Sequence, residues 1–327
     1  MAVASPALAT KVFEEGKLSV KSMKVEESSE SSSPPKPLLI VTPTLEGTYP
    51  ILLFFHGFLI HNTAYEKLLQ HVSSHGFIVV APQGDDDGDG NDGSGEKPKM
   101  REIDLDLIIT GNEEVNLAGE VTNWLATGLQ SMLPENVKAN LLNLAVAGHS
   151  RGGKTAFALA LGHAKTQPSL KISALIGLDP VAGLSIDDQI EPKILTYVPH
   201  SFDLPVPISV AIIGTGLGHE KSNAIVPACA PNGVNHCEFF TECKPPSWYF
   251  YAKDYGHVDM LDDPNLILSL ACVSGEGDKD PFKKCLGGVF VAFLRACLDG
   301  ENEDLKCIVE EPTIAPVTLD PVIHIEA

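Results

Sequence analysis

Short, nearly uninterrupted apolar runs alternate along the chain with longer stretches in which apolar residues recur every three or four positions. The runs fall at residues 38–41, 49–55, 77–81, 143–147, 172–178, 208–213 and 248–251. Continuous Val, Ile, Leu and Phe suits strands covered on both faces, as in a parallel sheet. Helices are predicted at 65–74 with Gly76 as C-terminal cap, at 113–133 ended by Pro134, at 152–165 and at 282–298. Strand–helix alternation of this kind predicts an α/β fold, a mostly parallel central sheet with helices on both faces. No internal repeat is visible, so residues 37–310 read as one domain. A disordered N-terminal tail, 1–36, ends at the Ser31–Pro35 run of three serines and two prolines, and a proline-bearing C-terminal tail, 311–327, drapes the surface.

Composition narrows the function. A chain of 327 residues, 44% hydrophobic, is long enough for one large core. A formal net charge of −20 repels phosphate backbones, which excludes general nucleic-acid binding and disfavours electrostatic docking on anionic lipid. No segment approaches the roughly 20 predominantly apolar residues of a membrane span. Residues 1–36 hold five Glu, five Lys and no Arg, unlike an Arg-rich, acid-poor transit peptide. All seven cysteines lie in the last third without a C-x-x-C pair. They read as buried free thiols, with a bridge among Cys229, Cys237 and Cys243 as the alternative; their spacing around His236 fits no common zinc pattern.

One insertion breaks the rhythm. Residues 84–106 are rich in Asp and Gly, with nine acids against three bases from Asp85 to Asp106, and read as a solvated surface loop. Asp85, Asp87, Asp89 and Glu96 match the offsets of a calcium loop. Asp92, however, stands where such loops place an apolar residue, and a strand precedes them where a helix should. No metal is therefore expected.

The sharpest chemical signal is Gly148-His149-Ser150-Arg151-Gly152-Gly153, between an apolar run and a helical stretch. G-x-S-x-G in a strand–turn–helix setting is a nucleophile elbow: the glycines permit a tight turn that holds the serine hydroxyl out, in front of a helix N-terminus. A serine needs a base, and in this fold the order is serine, acid, histidine. His257 follows the last predicted parallel strand after a short Asp254-Tyr255-Gly256 loop, whereas His324 lies in the proline-bearing tail. For the acid, spacing leaves Asp179, Glu220 and Asp203 open, each beyond a predicted strand. Oxyanion donors are expected from the backbone N–H groups of Arg151, after the nucleophile, and Phe58, in the loop Phe55-His56-Gly57-Phe58. Phe58, Leu59 and Ile60 would place apolar side chains at the site mouth, either as ordinary packing or as a greasy substrate entrance.

The block Gly148–Phe157 resembles the lipase-type motif of plant chlorophyllases, and similar matches to that family run through residues 50–58, 174–183 with its Asp179-Pro180-Val181-Ala182-Gly183, 214–218, 229–243 and 254–263. The resemblance spans about residues 35–321. It implies an α/β-hydrolase fold, a triad on Ser150, Asp179 and His257, and hydrolysis of the phytyl ester of chlorophyll with water and no cofactor. It further implies a chloroplast setting and transient contact with pigment-bearing membranes. The rival expectations are a general lipase or carboxylesterase, which would share every catalytic residue, and a non-catalytic pigment-binding protein on the same fold.

Overall fold

The computed structural model describes residues 10–28, 33–84, 110–204 and 208–326. Each apolar run forms a strand: β2 (Leu38–Pro43), β3 (Gly47–Phe55), β4 (Ile78–Pro82), β5 (Val137–His149), β6 (Ile172–Leu178), β7 (Ser209–Thr215) and β8 (Ser247–Ala252). Strands β1 (Val20–Val25) and β9 (Val322–Ile325) complete a nine-stranded sheet in the order β1-β2-β4-β3-β5-β6-β7-β8-β9. From β4 to β8 all neighbours are parallel; β1, β2 and β9 run antiparallel to theirs. This is the α/β-hydrolase architecture.

Alternation along the strands divides the core between two faces. Leu52 and Phe54 of β3 enter one cluster, while Ile51, Leu53 and Phe55 enter the other. The first face is covered by α1 (Glu66–Ser74), and later by α7 (Asp280–Leu294) and α8 (Glu303–Glu310). The second is covered by α2 (Gly111–Thr127), α4 (Arg151–Ala160) and α5 (His236–Glu242). Two further helices are short, α3 (Leu129–Met132) and α6 (Leu266–Ala271). Thr110 caps α2 with a full capping box, its side chain accepting from Glu113 N–H while the Glu113 carboxylate takes the Thr110 N–H. Among the described residues no helix is long and apolar enough to cross a membrane.

Two expectations about the termini are corrected. Part of the expected disordered tail 1–36 is built into the fold: β1 pairs along its length with β2, and Val12 is buried in the first core cluster. The exposed lysines Lys21 and Lys24 conceal the strand from a composition reading. The expected C-terminal tail 311–327 likewise supplies β9, paired with β8, and His324 stacks on Trp248 with ring centroids 4.4 Å apart.

The cysteine expectation is corrected as well. Cys229 bonds Cys272, which bridges 43 residues of sequence, instead of Cys237 or Cys243; those two are free. Their closeness in sequence gave no hint of a partner beyond β8 in the chain. Closing a loop of this length restricts the unfolded chain, so the double variant Cys229→Ser/Cys272→Ser should lose about 2–4 kcal/mol of stability. A lower urea midpoint checks it, together with a steeper slope as the unfolded chain, freed of the bridge, exposes more surface.

Candidate active site

The parallel strands deliver their C-terminal ends to one edge of the sheet. β5 ends at His149, and Ser150 turns the chain into α4 with φ 55° and ψ −126°. A left-handed serine is costly and persists only where its surroundings fix it. Here Ser150 N–H donates to the Leu178 carbonyl at 3.1 Å, and the Ser150 carbonyl accepts from Val181 N–H at 3.0 Å. The flanking glycines are steric requirements. A Cβ on Gly148 would stand 2.2 Å from the Gly152 carbonyl oxygen, and one on Gly152 2.2 Å from that of His56. A Cβ on Gly153 would meet the Pro180 Cβ at 2.8 Å.

β6 ends one residue before Asp179, which is buried, sits at φ 43° and donates its N–H to the Ile213 carbonyl at 2.6 Å. Thr215, the last residue of β7, gives Asp179 two hydrogen bonds: N–H to Oδ1 at 3.1 Å and Oγ1–H to Oδ2 at 2.6 Å. Asp179 Oδ2 also accepts from His257 Nδ1 at 2.6 Å, and His257 Nε2 lies 2.8 Å from Ser150 Oγ. Burial pushes the Asp179 carboxyl up, but the hydrogen bond and charge of His257, with His236 and Thr215, outweigh it and hold the group at about 2. The His257 loop is braced by Asp259, whose Oδ2 accepts the N–H groups of Gly256 and Gly275 at 2.7 and 2.8 Å. Asp259 Oδ1 takes the Ser274 hydroxyl and faces Lys279 Nζ at 3.4 Å.

Of the three carboxylates left open by spacing, only Asp179 meets the histidine. Asp203 is exposed and pairs with Lys244 at 2.7 Å, and Glu220 is exposed. Phe58 and Arg151 lie together, the guanidinium 5.2 Å from the ring centroid, and Arg151 Nε is held 2.7 Å from Glu114 Oε1. Beside them opens a cleft walled by Phe55, Phe58, Leu117, Ala118 and Val121 and reaching Arg151 and Gly152. Leu59 and Ile60 line a different cleft, shared with α6 residues Ile267 and Leu268. The apolar trio is therefore split between two pockets. Asp85, Asp87, Asp89 and Glu96 lie outside the described residues.

Sequence reasoning missed Thr215 and His236. His236 opens α5 with Nε2 3.8 Å from Asp179 Oδ1, while its Nδ1 lies 2.8 Å from the Tyr249 hydroxyl. The Gly214-Thr215-Gly216 turn at the end of a strand was a usable signal for Thr215; nothing comparable marks His236.

The profile of the family described as chlorophyllase matches residues 8–85 and 98–326, nearly the whole chain. The chain belongs to the chlorophyllase family. It is 44% identical to chlorophyllase-1 of Arabidopsis thaliana over 321 residues, which covers 96% of this chain and 92% of that one. It shares 44% identity with the chloroplastic chlorophyllase-1 of Citrus unshiu, across 99% of this chain and 92% of that one. Chlorophyllase-2 of Arabidopsis thaliana is 42% identical over 90% of each. Chlorophyllase relatives support a hydrolase. The unmatched residues 86–97 are the Asp/Gly-rich stretch, so this part of the chain departs from the family pattern.

Several histidines of this family member carry a pH consequence. Burial lowers the pKa of His71, His149 and His236, and that of His75 to about 4. Between the ordinary value of 6.5 and about 4 the unfolded chain binds a proton that folded His75 refuses, so stability falls as pH drops through that window. The melting temperature should decline from pH 7 to pH 4.5, with a shallower slope for His75→Gln.

Proposed function

We propose that this chain is a serine ester hydrolase that cleaves the phytyl ester of chlorophyll into chlorophyllide and phytol. The observation that carries the reading is the unbroken hydrogen-bonded line Ser150 Oγ, His257 Nε2, His257 Nδ1, Asp179 Oδ2 at the mouth of an elbow. Family membership supports the substrate.

In this mechanism His257 Nε2 takes the Ser150 proton as Oγ attacks the ester carbonyl. Asp179 holds the imidazole in the Nδ1–H tautomer and stabilises the imidazolium. The developing oxyanion lies at the start of α4, where first-turn N–H groups lack intrahelical acceptors, and the N–H groups of Arg151 and Phe58 receive it. His257 then gives its proton to the phytol oxygen as the C–O bond breaks, which leaves chlorophyllide esterified to Ser150. A water molecule, deprotonated by His257, attacks that ester and returns the Ser150 hydroxyl. The apolar cleft beside Phe58 and Leu117 suits a lipophilic part of the substrate. Two of the relatives are named chloroplastic, which favours the same setting for this chain.

Chromatography of pigments after incubation of chlorophyll with the protein tests the reading, and chlorophyllide with free phytol is the expected product. Cleavage of a simple acyl ester without chlorophyllide would make it a general esterase. Chlorophyll binding with no product, and no covalent labelling by a serine-directed phosphonate, would make it a pigment-binding protein.

A further inference from the structure

Beneath the elbow, away from the line through Asp179, a second chain of hydrogen bonds crosses the site. Gly57 N–H donates to the Tyr65 hydroxyl oxygen at 3.0 Å, that oxygen lies 2.7 Å from His149 Nδ1, and His149 Nε2 lies 2.9 Å from the carbonyl oxygen of His257. Tyr65 and His149 are both fully buried.

Simple donor and acceptor chemistry fixes the direction of every bond. A carbonyl oxygen only accepts, so His149 Nε2 carries the proton. A neutral imidazole has one N–H, so Nδ1 is an acceptor and the Tyr65 hydroxyl donates to it, leaving its oxygen to accept from Gly57. Burial, with His257 close by, favours the neutral imidazole. The Tyr65 hydroxyl and the His149 ring each donate one bond and accept one, and the bonds reinforce one another in sequence.

We infer that Tyr65 and His149 are positioning residues that fasten the oxyanion loop and the catalytic histidine to the nucleophile elbow as one frame. The inference rests on the assignment of Ser150, His257 and Phe58 above. The chain attaches at Gly57, one residue before Phe58, and at the backbone of His257 itself. Gly57 has no side chain to anchor it, and a Cβ there would meet His149 Nδ1 at 3.0 Å and Ser150 Cβ at 3.1 Å. The loop beyond it turns through Leu59 at φ 57°. A hydrogen bond from Gly57 to a buried hydroxyl thus sets where the next N–H points. At the other end, the His149 ring lies against the His257 ring with centroids 4.6 Å apart. A neutral ring there supports His257 without opposing the positive charge it gains in the reaction.

The test is kcat per active site, with sites counted by titration with a serine-directed phosphonate, together with KM for chlorophyll. Tyr65→Phe keeps the ring and its edge contact with Phe54, at 4.9 Å between centroids, but removes the hydroxyl. It should lower kcat per titrated site by about tenfold or more with KM nearly unchanged, as small misplacements of catalytic groups do. His149→Gln can set an amide N–H near Nε2 and keep the bond to His257, whereas His149→Asn reaches only the Nδ1 position. The Gln variant should therefore retain more turnover per site than the Asn variant. Wild-type kcat per titrated site in Tyr65→Phe, with only fewer sites or a lower melting temperature, would reduce the chain to a stabilising feature and overturn the inference. Should Tyr65→Phe fail to fold, equal kcat per site in the Gln and Asn variants would overturn it instead. Activity surviving in Ser150→Ala would instead sink the underlying assignment, so the two failures are distinct.

Discussion

Ser150→Ala should retain fold and pigment binding while kcat falls by about 10⁴- to 10⁶-fold, the range seen when a triad nucleophile is removed. The Ser150 hydroxyl is the side-chain group hydrogen-bonded to His257 Nε2, and that 2.8 Å bond is what the variant deletes. Little else changes. The strained backbone at φ 55° is held by main-chain bonds to Leu178 and Val181, which alanine keeps. His257 also keeps Asp179 on its other side. The melting temperature should stay within a few degrees of wild type. Chlorophyllide formed at the wild-type rate would require a different nucleophile.

Asp179→Asn should cost about 10⁴-fold in kcat, and the reason is a forced tautomer. Thr215 N–H points at Oδ1, so the asparagine must leave its oxygen there. Its amide nitrogen then takes the Oδ2 position, where it donates to His257 Nδ1 and to the Thr215 hydroxyl in place of accepting from them. With Nδ1 made an acceptor, the imidazole proton moves to Nε2 and faces Ser150, so the base can no longer take the serine proton. The same variant should lower the rate of phosphonate labelling without abolishing pigment binding. Labelling at the wild-type rate would show that the tautomer does not limit nucleophile activation. Because Asp179 is held at about 2, its ionisation should not limit the rate above about pH 4.

The buried half of the architecture was legible because burial leaves a mark in sequence. The central stretches of strands β2 to β8 are covered on both faces, and that cover demands short apolar runs such as Ile172–Leu178. β1 and β9 are partly exposed, so Lys21, Lys24 and His324 interrupt them and the pattern dissolves. α6 was invisible for a related reason: only Leu268 and Ala271 pack on the core, while its other apolar residues, Leu266, Ile267 and Leu270, are exposed and blur the face. In the site, Ser150 and His257 were readable because the elbow and chain order are local in sequence. The acid was not legible from spacing, since Asp179, Asp203 and Glu220 all follow strands; the family resemblance pointed to Asp179, the carboxylate that lies against His257 in the fold. Tyr65 carried no signal whatever, because a buried hydroxyl that serves a backbone N–H is indistinguishable in sequence from a core aromatic.

The two antiparallel strands contributed by the chain ends close the sheet at both sides. Trimming the protein to residues 37–310, as composition alone would suggest, removes β1 from β2 and β9 from β8. β2 is buried along all six residues, and β8 carries Trp248, Tyr249, Phe250 and Tyr251. Each would then present a bare row of backbone donors and acceptors beside apolar side chains, the feature that recruits strands from other molecules. A minimal catalytic fragment cut at those points is thus a candidate for self-association, whereas the awkward termini keep the full chain from acting as a template for its own aggregation.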